Sequence, residues 1–234
     1  MRPTLLAALL AAGLGVFSAA HAVVPGEIDT FSAGIEGWFA GGGPNAGVPA
    51  LPPVVVASGG PAGAGDAFLQ LSADGSGGPG GRLVGINGAQ WAGDYTAAGI
   101  GAIAMDLRNF GNADLTIRLY LEDPIPGPPL NAAVTTLGFV LPAGGSWTHA
   151  VFPVAAADLM ALQGDASTLL GNTTLLRIFS GADPAFPPER MVGVLGVDNI
   201  EAIAAIPEPG TVALLAAGLA LVGARARRRA GKAR

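Results

Sequence analysis

Leu115, Ile117, Leu119 and Leu121 alternate with Thr116, Arg118 and Tyr120, apolar at every second residue across seven positions. That period puts all four aliphatic side chains on one face of an extended strand, which a helix of about 3.6 residues per turn cannot do. Ile103, Met105 and Leu107 repeat the pattern just before, and Asn109-Phe110-Gly111-Asn112 supplies turn residues between the two runs. Further runs are VVVA from Val54, AFLQLS from Ala67, VTTLGFV from Val134, WTHAVFPV from Trp147, LLRIF from Leu175 and VGVLGVDNIEAI from Val192. Spacers rich in Gly and Pro, such as GGGPNAGVPALPP and DPIPGPP, separate them. The 37 glycines follow no repeat, so they mark turns rather than a collagen pattern. A helical pattern is confined to 155–170, around Leu159, Met160 and Leu162. Many short strands, glycine turns and one short helix predict an all-β sandwich.

The two ends have a different character. MRPTLLAALLAAGLGVFSAAHA combines Arg2, an apolar stretch from Leu5 to Phe17, and small residues closing on Ala20-His21-Ala22. This is the pattern of a secretory signal helix over 1–22, cut after Ala22. At the other end, Pro207-Glu208-Pro209 precedes fifteen uncharged residues, 210–224, and then Arg225, Arg227, Arg228, Arg229, Lys232 and Arg234. As a helix the uncharged run spans roughly 22 Å against a hydrocarbon core of about 30 Å, short for a permanent span. It lacks the polar face of an amphipathic or core helix, and the arginines form a positive-inside membrane stop. The organisation expected is a signal peptide at 1–22, an ectodomain at 23–205 and a tail at 206–234 with a transmembrane helix at 210–224.

Pro207-Glu208-Pro209, the apolar helix and the Arg-rich end, in that order, resemble the PEP-CTERM sorting signal of Gram-negative bacteria. The resemblance implies recognition by a membrane protease-transpeptidase, an exosortase, that cuts near the Pro-Glu-Pro motif. It also implies transfer from the inner membrane to the cell surface or matrix, in the company of exopolysaccharide and biofilm production. The physical reading agrees: two prolines keep the preceding segment extended and without amide donors, and the helix is too short for a comfortable anchor.

Charge narrows the partners of the middle. Five arginines (82, 108, 118, 177 and 190) stand against sixteen acids in 23–205, a net charge of about −11. An acidic, lysine-free ectodomain is repelled by nucleic acid and by anionic lipid. Cysteine is absent, so no disulfide framework staples the domain. At roughly 180 residues it can bury a core without one.

FSAGIEGW from Phe31, GDAFLQLS from Gly65, QWAGDYTAAGIGAIAMDLRN from Gln90, GSWTHAVFPV from Gly145 and LGVDNIEAI from Leu195 follow one another along the ectodomain. In this order they resemble the jelly-roll domains of bacterial surface proteins, akin to carbohydrate-binding modules and laminin-type sandwiches. That resemblance implies first and last strands lying together, and a structural calcium held by Asp198 of the Asp198-Asn199 pair with Glu27 or Asp29; Asp66 is a looser candidate. Calcium takes six to eight oxygens, and Asn199 in place of a second aspartate removes one charge. It also implies sugar recognition by stacking on exposed aromatic rings. Trp91, Asp94 and Tyr95, in WAGDY, form the most ligand-like cluster; Arg118 and Tyr120 share a strand face and would line a groove. Trp38 and Trp147 are expected in the core.

Catalytic motifs are not legible. His149 is the one histidine after Ala22, on the strand parity of Trp147 and Val151, which excludes histidine-rich zinc sites. No G-x-S-x-G occurs, and Gly75-Ser76-Gly77-Gly78-Pro79-Gly80 leads into a strand rather than the helix a dinucleotide fingerprint needs. None of the acids sits in a recognisable glycosidase pair. The function expected is a non-catalytic, exported, exopolysaccharide- or biofilm-associated binding module. A structural surface protein without a glycan ligand is the alternative, and a secreted carbohydrate-active enzyme the third reading.

Overall fold

The structure is a computed structural model that describes residues 22–40, 51–78, 80–88, 90–123, 128–206, 214–215 and 217–219. In chain order the strands are β1 (Ile28–Asp29), β2 (Val54–Val56), β3 (Phe68–Asp74), β4 (Val84–Asn87), β5 (Ile100–Asn109) and β6 (Leu115–Asp123). They continue as β7 (Asn131–Thr135), β8 (Phe139–Leu141), β9 (Thr148–Pro153), β10 (Leu159–Gln163), β11 (Leu175–Ser180) and β12 (Val192–Ala204). Two short helices, α1 (Tyr95–Ala98) and α2 (Ala166–Leu170), interrupt them.

These strands form two antiparallel six-stranded sheets. Sheet A runs β2-β3-β12-β5-β9, with β1 also paired to β12; sheet B runs β10-β7-β6-β11-β4, with β8 also paired to β6. The first and last strands therefore pair, Ile28 opposite Glu201 and Asp29 opposite Ile200, as in a jelly roll. The alternating runs fix which face is buried. Leu115, Ile117, Leu119 and Leu121 of β6 meet Ile103, Met105 and Leu107 of β5 in one core between the sheets. The turn after Asn109 carries the chain from sheet A to sheet B. The Asn109 side chain holds it, donating to the carbonyls of Ala113 (2.8 Å) and Leu141 (3.1 Å) and accepting from Gly111 N–H (2.9 Å).

The helical expectation at 155–170 is corrected. Leu159, Met160 and Leu162 lie in edge strand β10, paired with β7. A short apolar run has no decisive period, and here an open sheet edge takes it. The helix begins only at Ala166, after Asp165, whose carboxylate accepts from Thr168 N–H at 2.8 Å.

The outer faces of the two sheets differ. On sheet B, Tyr120, Ala132, Val134 and Phe179 form a second cluster beneath Phe186, which stacks on Tyr120 at 4.3 Å between centroids. Arg118 closes the same face with hydrogen bonds to the carbonyls of Thr135, Thr136, Gly181 and Ala182. The groove expected along Arg118 and Tyr120 is thus filled by the segment after β11, because a buried guanidinium gathers that segment's carbonyls.

The signal helix at 1–22 lies outside the described residues apart from Ala22, and so do Pro207, Glu208, Pro209 and the stop arginines. Residues 214–215 and 217–219 of the tail are helical. Among the described residues no helix is long and apolar enough to cross a membrane.

Candidate functional site

Asp29 is buried, and its carboxylate is enclosed by donors. Oδ2 accepts the indole N–H of Trp38 (2.6 Å) and of Trp91 (2.8 Å), and Oδ1 accepts from Gln90 Nε2 (3.0 Å). Two indoles inside a core each need an acceptor, and one carboxylate serves both. Burial pushes the Asp29 carboxyl above the usual carboxylate range; the indole hydrogen bonds oppose that, and the charges of Glu36 and Glu27 add to it.

This network explains where the expected ligand cluster went. Trp91 and Tyr95 are fully buried, the Tyr95 hydroxyl donating to the Trp91 carbonyl at 3.0 Å. Asp94 caps α1 by accepting from Ala97 N–H at 2.7 Å. The expectation that Trp91, Asp94 and Tyr95 stack a sugar is therefore corrected: neither ring offers a face, since both fill the core around Asp29. Trp38 lies in the core as expected.

The acids expected to hold calcium are placed as follows. Among the described residues no three acidic or histidine side chains are gathered to hold a metal. Glu27 contributes its backbone carbonyl to Ala202 N–H. Asp29 lies with core residue Ile200 and faces inward. Asp198 lies one step from core residue Val197 and faces outward. Asp66 accepts from Ala62 N–H within the loop between β2 and β3.

Asp198 instead belongs to the outer face of sheet A. β12 bulges after it, the register with β5 slipping between Asp198 and Glu201, and Asn199 takes a left-handed backbone (φ +48°). The bulge turns Asn199 so that its Nδ2 donates to Asp106 Oδ2 (2.8 Å), while Asp106 Oδ1 meets His149 Nδ1 (3.0 Å). Asp198 Oδ1 accepts from Asn199 N–H (2.8 Å); its Oδ2 is buried with no hydrogen-bond partner among the described residues. Burial first, then the charges of Asp66, Asp106 and Glu36, push the Asp198 carboxyl up to about 7, against the Asn199 hydrogen bond.

Beside this polar row lies an aromatic group that the sequence reading did not single out. Phe68 stacks on Phe110 (5.5 Å between centroids), and Trp147 meets both edge-on, at 5.1 Å and 6.1 Å. They rest on Gly196 of β12: a Cβ there would come within 2.7 Å of Phe110 and 2.8 Å of Trp147. Glycine lets rings lie on the strand's backbone where any side chain would lift them. The indole N–H of Trp147 donates to the Gly59 carbonyl (2.9 Å). The Arg108 guanidinium lies 4.6 Å over the Phe110 ring, with Nε donating to the Gly145 carbonyl. Phe68 is covered by its partners, but Phe110 is 39 % exposed and Trp147 half-buried. Trp147, expected in the core, is on the outer face instead. The usable signals were a phenylalanine in a glycine turn at 110 and a glycine inside a strand at 196.

Phe110 and Trp147, both partly exposed, stand next to Arg108, Asn199, Asp106 and the exposed His149, an apolar group beside hydrogen-bonding groups of both kinds.

Residues 205–229 match the PEP-CTERM protein-sorting motif. The chain has no match among curated proteins. Among solved structures it is similar to a family 11 carbohydrate-binding module from Clostridium thermocellum, in complex with a β-1,3-1,4-mixed-linked tetrasaccharide. That likeness has a TM-score of 0.51 and 15 % identity, and covers 80 % of this chain and 100 % of the module. The family 11 module of a cellulosomal cellulase from the same organism compares similarly, with a TM-score of 0.50, 14 % identity, and coverage of 80 % and 99 %. The chain thus joins a jelly-roll β-sandwich, similar in fold to family 11 carbohydrate-binding modules, to a PEP-CTERM sorting motif.

Proposed function

We propose that this is an exported, exosortase-processed protein of the cell surface or extracellular matrix. Its sandwich is a non-catalytic module that binds an extracellular polysaccharide on the outer face of sheet A. The sorting motif supports export and processing, and the route we read from it is an inner-membrane precursor anchored through 210–224, then release or transfer near Pro207–Pro209, in a biofilm setting. The binding activity is supported above all by the partly exposed Phe110 and Trp147 rings over Gly196, beside Arg108 and the Asn199–Asp106–His149 row. Stacking on such rings suits the apolar faces of pyranose units, and the flanking groups suit their hydroxyls. His149 and Asp106 act here as orienting polar groups at the platform's edge.

The test is retention on immobilised polysaccharides, beginning with a mixed-linked β-glucan and the host's own exopolysaccharide. Trp147→Ala and Phe110→Ala are expected to abolish retention while the protein stays folded. A protein that is processed and exported but held by no polymer would instead be a structural coat. Mass spectrometry of the mature protein in its native host tests the route. A C-terminus near Pro207–Pro209 that depends on the processing enzyme supports it, and an intact Arg234 in the membrane fraction reduces the tail to a plain anchor.

A further inference from the structure

Strand register sets out the outer face of sheet A in rows. The first carries the ring platform, Arg108 opposite Gly196, with Phe110 and Trp147 packed against that glycine. In the next, His149 lies opposite Asp106 and Asp106 opposite Asp198. The third runs Val151, Ala104, Glu201 and Ile28, each opposite the one before. These residues alternate with core residues Met105, Leu107, Val197 and Ala202, so all of them face outward. Asp106 and Ala104 stand about 7 Å and about 13 Å from Arg108 along β5, so one polymer chain can reach all three rows.

The second and third rows hold acids without matching cations. Asp106 and Asp198 are like charges directly opposed across two strands, which costs a sheet stability. Arg108, on the neighbouring row, turns the other way, over the Phe110 ring. Among the described residues no arginine forms an ion pair with Asp106, Asp198 or Glu201; the ionisable partner of Asp106 is the imidazole of His149. Asp198 is 1 % exposed, and one of its carboxylate oxygens has no hydrogen-bond partner among the described residues. Burial first, then the charges of Asp66, Asp106 and Glu36, raise its carboxyl, and a cation in the row would favour the ionised form.

We propose that the polysaccharide taken by this face carries protonated amines. It is a partly or wholly de-N-acetylated amino-sugar polymer, with a ring stacked at Phe110 and Trp147 and ammonium groups along the row of Asp106, Asp198 and Glu201. The inference rests on the glycan-binding reading of sheet A. Ionised carboxylates are acceptors only, and an ammonium brings three donors together with the compensating charge. Uronate polymers meet the acidic ectodomain, at a net charge of about −11, as like charge and are repelled.

Full-length protein is tested for retention on an immobilised β-1,4-linked glucosamine polymer, its N-acetylated form and a polyuronate, beside the mixed-linked β-glucan. The buffer is at about pH 6, where sugar amines carry a proton, with about 0.15 M salt to screen attraction beyond about 8 Å. Retention is expected to be several-fold stronger on the amine than on the acetylated form, and absent on the polyuronate. Trp147→Ala is expected to abolish it, and Asp106→Asn and Glu201→Gln each to reduce the amine preference several-fold. Should Asp106→Asn not fold, Glu201→Gln carries the test. Glu189→Gln removes the same charge from the exposed segment after β11 and is expected to change nothing. Equal retention on the amine and acetylated polymers, retention on the polyuronate or on the β-glucan alone, a preference that neither acid variant reduces, or an equal loss in Glu189→Gln overturns the amine preference and spares glycan binding. Retention on no polymer, or retention that survives Trp147→Ala, overturns the binding site and the preference together.

Discussion

Asp29 and Asp198 sit on neighbouring strands and face opposite sides of one sheet, and that difference sets what each does. Asp29 satisfies two indoles in the core. Asp29→Ala would leave both N–H groups buried without an acceptor and is expected to cost roughly 2–5 kcal/mol in urea unfolding. Asp198 keeps an oxygen beneath the outer face without a partner among the described residues, and its carboxyl is pushed up to about 7. A folded-state value above the ordinary one means the folded protein prefers the protonated form. The contribution is then complete below about pH 4 and is lost as pH rises through about 7. Asp29, also raised, acts in the same sense. Asp74 and Asp165 act in the opposite sense, their carboxylates held down by hydrogen bonds from Ser76 and Thr168, so their contribution is lost as pH falls below the ordinary range. Thermal midpoints are therefore expected to fall between pH 5 and 7.5, and Asp198→Asn to flatten that fall; an unchanged slope in the variant would remove Asp198 as its source.

At the scale of elements, β12 organises the molecule. It pairs with β1, β3 and β5, and its single glycine among the outward residues near the ring cluster decides what lies on top. Gly196→Val is expected to displace the Phe110 and Trp147 rings, costing roughly 1–3 kcal/mol from overpacking. Loss of the aromatic near-ultraviolet circular dichroism, together with loss of glycan retention, is the measurement. The opposite sheet depends on one side chain. Arg118 joins β6 to the end of β7 and to the segment carrying Phe186 through four carbonyls. Lysine lacks the planar fork, so Arg118→Lys is expected to lower the urea midpoint and to uncover Tyr120, read as increased binding of a hydrophobic dye. A midpoint equal to that of the parent protein would show that the fork is dispensable.

For the whole molecule, the ectodomain has its own core and the tail adds no described residue to it. A chain ending at Ile206 is expected to melt cooperatively at the midpoint of the full-length protein. Chelator and added calcium decide whether Glu27, Asp29 and Asp198 hold an ion, and a midpoint unchanged by either removes the site. A rise on adding calcium, as ligand binding to the native state requires, would establish it.

Local rules written into the chain were enough for the strands of β5 and β6, the sandwich class and the sorting tail. Period-two alternation selects a buried face whatever the neighbours are, and a tail motif is read from consecutive residues. The pairing of first and last strands came from resemblance, and β1 does lie on β12. What tertiary structure alone decided is which aromatic ring faces water. Trp91 and Trp147 stand in similarly glycine-flanked, polar-looking stretches. One is drawn into the core because Asp29, sixty-two residues away, accepts its indole N–H, and the other is left on the outer face because Gly196 leaves room for its ring against the strand. The same is true of Leu159–Gln163, whose short run fits helix or strand until the free edge of β7 takes it. Contacts between distant residues settle such choices, and no local pattern encodes them.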